Sequence, residues 1–130
     1  MYVPNHFALT TEQVTELIQT RGAGDLVTMD DSGFQATFLP FTYHPEVGEF
    51  GALRTHLSRV NPQWKTPGQA LVIVHGPDHY ISPVRENEQN TGVDRVPTWN
   101  YVTAHLYGEK GEVTRGFVAC TPLSTSWIVI

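Results

Sequence analysis

Cysteine is nearly missing: Cys120 stands alone among 130 residues. One thiol forms no intramolecular disulfide, no CxxC redox pair and no cysteine-based zinc site, and such usage fits a reducing, cytoplasmic setting. Basic residues are also scarce, with 8 Lys and Arg against 13 Asp and Glu and a formal charge of −5. Non-specific affinity for nucleic acid comes mainly from Lys and Arg neutralising phosphates, so this composition argues against a broad DNA-binding face. No apolar run approaches the roughly 20 residues of a membrane-spanning helix, and residues 1–7 lack both the basic start and the apolar core of a secretion signal. The chain therefore reads as soluble, unexported and without a membrane partner. Several catalytic signatures are missing too. Gly22-Ala23-Gly24 follows a helix and precedes a strand, the reverse of a dinucleotide-binding turn, and there is neither a Walker lysine nor a nucleophile elbow. His75 and His79 are four apart, but Gly76-Pro77 between them breaks the helical face that would align them on a metal.

What is present is a globular composition rich in turn formers: 40% hydrophobic residues, 11 Gly and 9 Pro. At this length the chain forms one domain, residues 1–130. Thr10 or Thr11 caps a helix, with Glu12 and Gln13 close behind and Val14, Leu17 and Ile18 at helical spacing until Arg21-Gly22. Residues 25–29 then predict a strand, 30–33 a tight turn and 34–41 the antiparallel return. A turn over 45–48 precedes a strand over 50–56, and 70–75 is a short, β-rich run of the buried kind. Residues 80–83 and 98–107 add two more strands, and the polar stretch 85–94 between them predicts a loop or flap. No helices separate the strands, so a mainly β antiparallel barrel of about six strands with one or two helices is expected, not a βαβ sheet.

The chemistry concentrates in two places. Residues 51–64 crowd hydroxyls, His56 and the guanidinium groups of Arg54 and Arg59 just after a strand. A bound phosphate needs charge-assisted hydrogen bonds of this kind. If the chain turns helical at His56, then Thr55, Ser58 and Arg59 share a face; if the strand continues, Arg54, His56 and Ser58 align instead. The competing reading is an ordinary solvated surface in which Arg pairs with Asp or Glu. Farther on, Val96-Pro97-Thr98-Trp99-Asn100-Tyr101 offers an indole for stacking on a flat ring and an amide to read its edge, although Trp also serves as core or interface filler.

These residues resemble a known group. The segments Met1-Tyr2-Val3-Pro4 with His6-Phe7, His56-Leu57-Ser58-Arg59-Val60-Asn61-Pro62-Gln63-Trp64, Gly76-Pro77 with Tyr80-Ile81-Ser82-Pro83, and Val96 to Tyr101 with His105 and Gly108 occur in the order seen in the PaiB family. Its members are FMN-binding split-barrel flavoproteins described as negative transcriptional regulators. The resemblance covers residues 1–108 and implies a split β-barrel like that of pyridoxamine phosphate oxidases, working as a homodimer with FMN at the subunit interface. By position it places His56, Arg59 and Asn61 around the FMN phosphate. Thr37 and Leu39 would line the isoalloxazine, with Thr98, Trp99 and Asn100 nearby, from the partner subunit. Two departures stand out: Val84-Arg85 replaces the family's aromatic pair after Ser-Pro, and residues 117–130 replace its C-terminal helices with an apolar, β-prone tail. An unpaired edge of that kind invites aggregation, so the tail is expected to close the barrel or enter the dimer.

Three readings of function follow. The first is an FMN-binding protein of PaiB type whose effect on transcription is indirect, since no helix-turn-helix pattern supplies a groove reader. The second is a flavin-dependent oxidoreductase, with His56 and His105 as candidate acid or base. The third is a flavin-free dimeric interaction module.

Overall fold

The computed structural model describes residues 7–65, 68–82, 96–114 and 117–124, with backbone alone from residue 111 onward. A helix α1 (Thr11–Arg21) leads into strands β1 (Ala23–Asp30), β2 (Gly33–His44) and β3 (Ala52–His56), a 3-10 turn (Pro62–Trp64), and strands β4 (Gly68–Ile81), β5 (Thr98–Thr114) and β6 (Phe117–Ser124). The strands close into an antiparallel barrel in the order β1-β2-β3-β6-β5-β4. This is the mainly β split-barrel architecture expected from the sequence.

The helix forms where its signals lie. Thr10 accepts from the Gln13 backbone while the Gln13 side chain accepts from the Thr10 backbone, a reciprocal capping box. Gly22 ends the helix in the left-handed region at φ 60°, and its N–H donates to the Ile18 carbonyl. Val14 and Ile18, one turn apart on the inner face, reach the barrel core. There they join Leu26, Leu39, Phe41, Leu53, Val72, Val74, Ala104 and Leu106.

Three expectations need correction. Residues 70–75 and 80–83 are not separate strands, because β4 runs unbroken from Gly68 to Ile81. The Gly76-Pro77 pair sits at a register shift between His75 and Asp78, where a residue lacking an N–H is tolerated. Gly76 is also required for contact: a Cβ there would lie 2.8 Å from that of Val102. Second, β4 is not buried on both faces, for Ala70, Val72 and Val74 point inward while His75 is exposed. Third, β3 starts at Ala52, not at residue 50, because Gly51 turns at φ 82° with the Tyr43 ring against its Cα.

The unfamiliar tail closes the barrel as β6, pairing with β3 over Leu53–His56 and with β5 over 107–114. The predicted flap over 85–94 and the end of the tail, 125–130, lie outside the described residues. Among the described residues β1 pairs with β4 only as far as Ile73 and β6 with β5 only as far as Tyr107, and toward Ile81 and Thr98 β4 and β5 pair with each other. Val74, Thr103 and Ala104 are still buried, whereas the part of the pair over 78–81 and 98–100 is exposed and forms, among the described residues, a two-stranded ribbon.

Candidate functional site

The strand alternative holds at the phosphate candidate. Along β3, Leu53 and Thr55 face inward and Arg54 and His56 face solvent; Leu57 keeps this alternation by entering the core, and Ser58 and Arg59 are then both exposed. The solvated-pair reading applies at most to Arg54, whose charge reaches Glu46. Among the described residues no hydrogen bond or ion pair engages the His56 ring or the Arg59 guanidinium.

Asn61 and Thr37 are brought together, but beneath this surface. Asn61 Nδ2 donates to Thr37 Oγ1 at 2.9 Å, and Asn61 Oδ1 accepts from the Gln63 backbone at 2.9 Å. Leu39 is 4% exposed and belongs to the core. Gln63, quoted in the motif but given no role from sequence, is 1% exposed and lies at the centre of this inner network. Its partners come from segments distant in the chain, so spacing carried no signal of it.

Thr98, Trp99 and Asn100 lie on the ribbon, opposite Ile81, Tyr80 and His79. Trp99 is half exposed, its Nε1 donates to Asp78 Oδ1 at 2.9 Å, and its ring lies 5.7 Å from that of Tyr80. All three residues line a cavity of about 580 Å³ with Phe7, Pro77 and Tyr101. A neighbouring cavity of about 430 Å³ shares the Trp99 and Tyr101 wall and is bounded by His75 and His105. Both volumes fall in the usual range for small-molecule sites.

In that second cavity His75 Nε2 lies 2.8 Å from Asp25 Oδ2. Burial lowers the His105 imidazole from its ordinary value, and nearby His75 pushes it the same way. His105 thus stays neutral to lower pH than a free imidazole.

The two clusters are far apart within one chain. His56 pairs with Phe117, and Phe117 with Thr114 of β5, so His56 is level with the far end of that strand. Trp99 lies at its beginning, and at about 3.3 Å per residue the contour between them is on the order of 50 Å. The described residues of one protomer do not assemble cations and indole around one ligand.

A family model described as "Putative FMN-binding domain" matches residues 1–117. The chain belongs to this PaiB-type FMN-binding family. It is 33% identical over 113 residues to the Bacillus subtilis protein named "Protease synthase and sporulation protein PAI 2", covering 84% of this chain and 52% of the relative. An uncharacterised protein of Emericella nidulans is 29% identical over 123 residues, covering 72% and 49% respectively. One from Aspergillus fumigatus is 30% identical over 98 residues, covering 53% and 37%. The chain spans about half the length of the first two of these relatives. Family membership gives FMN as the cofactor, and the donor set fits it: exposed Arg and His suit a dianionic phosphate, and an accessible indole suits a flat ring. No helix among the described residues is long and apolar enough to cross a membrane.

Proposed function

We propose that this FMN-binding protein acts as a homodimer whose flavin sites are shared between subunits. His56 and Arg59 of one protomer hold the phosphate, with Arg54 adding positive charge at the rim. The partner's ribbon supplies Trp99 as a stacking surface, with Thr98 and Asn100 at the ring edge. Thr37, Leu39 and Asn61 support the site from beneath. The observation that supports this reading is that His56 is level with the far end of β5 while Trp99 lies at its beginning, a separation too long for one ligand within the described residues of one protomer. A two-stranded ribbon is marginal in water by itself, and this one exposes Tyr80, Ile81 and Trp99, a surface suited to cover by a second copy. Under this reading any regulation of transcription runs through the flavin-bearing dimer in the cytoplasm and not through direct operator contact.

The test is a titration with FMN and with riboflavin, followed by the visible spectrum. Arg59→Ala is expected to weaken FMN by roughly ten- to a hundredfold, the range for losing hydrogen bonds to a charged group, and to leave riboflavin nearly unaffected. Equal loss for both ligands removes the phosphate role. Failure of the native chain to retain FMN instead favours the flavin-free dimeric module.

One observation favours the second reading, a flavin-dependent oxidoreductase. Asp25 orients His75 beside the cavity that adjoins Trp99, an arrangement able to hold and deliver a proton. The bound flavin supplies electron-transfer chemistry, and the chain contributes binding, orientation and this imidazole. On this reading His75→Gln slows reduction of bound FMN by a nicotinamide donor by roughly 10²-fold, the lower range for general acid–base groups, with FMN affinity retained. An unchanged reduction rate eliminates His75 from that role.

A further inference from the structure

The turn that carries Arg59 is held from below at one residue, Gln63. Gln63 Nε2 lies 3.1 Å from each of three acceptors, the Leu26 carbonyl, Thr28 Oγ1 and the Gln35 carbonyl, so its two hydrogens are shared among β1 and β2. Its Oε1 accepts from Thr37 Oγ1 at 2.5 Å, and its backbone carbonyl accepts from Lys110 Nζ of β5 at 2.6 Å. Lys110 is itself buried, at 9% exposure. Three strands of the barrel therefore grip one residue.

Above this grip the turn is short and braced. Leu57 anchors its start in the core, the Asn61 N–H donates to the Ser58 carbonyl at 2.9 Å, and Trp64 Nε1 donates to the Arg59 carbonyl at 3.1 Å. Arg59 lies between these two braces, with its side chain in solvent. An Arg fork gains from a phosphate only when its backbone is held in place, because small displacements of a positioning group weaken such bonds steeply.

We propose that Gln63 is a positioning residue for the FMN phosphate, setting the protein's preference for FMN over riboflavin without touching either. The proposal rests on the phosphate role assigned to His56 and Arg59. The Gln63 side-chain amide ties the turn to β1 and β2 while its main-chain carbonyl takes the Lys110 bond from β5, so loss of the amide loosens the phosphate end of the site. The ring end lies on the ribbon, far along β5 and outside this network.

The experiment compares FMN and riboflavin affinities, by flavin fluorescence, for the native chain, Gln63→Met and Lys110→Met. Methionine keeps the volume and reach of each side chain and removes its hydrogen bonds. Gln63→Met is expected to lose about tenfold of the FMN-to-riboflavin preference, the effect of about one net hydrogen bond, while riboflavin affinity stays as in the native chain. Lys110→Met should shift the ratio in the same direction by less, and it carries the test if Gln63→Met does not fold. A ratio unchanged in the folded variants, or a parallel loss of both ligands, overturns the proposal. A native chain without any preference for FMN overturns the phosphate assignment and the proposal together. A selective native chain with equally selective variants overturns the proposal alone.

Discussion

Mixing Arg59→Ala protomers with Trp99→Ala protomers is expected to restore tight FMN binding to about a quarter of all sites, the statistical share in a two-fold dimer. Each variant alone damages both of its sites, one at the phosphate and the other at the ring. In the mixed dimer both lesions fall on one site and the second site is intact, provided that cations and indole come from different subunits. Stoichiometric titration after co-refolding of the two variants measures this recovery. If each site draws both groups from one chain, every site in the mixed dimer carries one lesion and no tight binding returns. The recovered fraction thus reports subunit composition directly, independent of how strongly either substitution acts.

Leu106→Ala is expected to lower stability by about 2–5 kcal/mol, the range for a buried leucine whose neighbours cannot collapse into the space. Leu106 is 2% exposed and lies in one register row with Val72, Leu26 and Thr37, across four strands of the barrel. A loss of that size is a large part of the roughly 5–15 kcal/mol that holds a typical domain together. Val60→Ala, at a side chain 90% exposed, is the control and should stay within about 0.5 kcal/mol. Urea unfolding at one fixed protein concentration checks both, since association would otherwise move the midpoint. Equal midpoints for the two variants would mean that the barrel interior tolerates the cavity.

Local signals were legible where the chain's neighbours in sequence are also its neighbours in space. The Thr10 to Gln13 capping box, the Gly22 stop and the hairpin around residues 30–33 all involve contacts within a few residues. The phosphate candidate was half legible. Alternation along β3 predicts that Arg54 and His56 share a face, but only the exposure of Arg59 beside Ser58 showed where the strand pattern gives way to the turn. Gly76-Pro77 misled because that pair usually ends an element, whereas here a shifted register accommodates it against Val102.

The pairings on which the proposed roles rest could not be read from spacing. Asp25 and His75 are 50 positions apart. Gln63 lies 35 from Thr28 and 47 from Lys110. A bond between such residues exists only because barrel closure brings their strands together, and nothing in either local sequence encodes the partner. Residue types and their periodicity determined the helix, most of the strands, the mainly β class and the presence of cationic and aromatic groups suited to a phosphorylated ring. Tertiary structure alone decided that Thr37, Leu39 and Asn61 point inward, that the tail completes the barrel, and that His56 comes level with the end of β5 opposite to the one that carries the indole. The reason is that alternation tells which residues share a side of a strand, whereas register and closure decide what lies across from them.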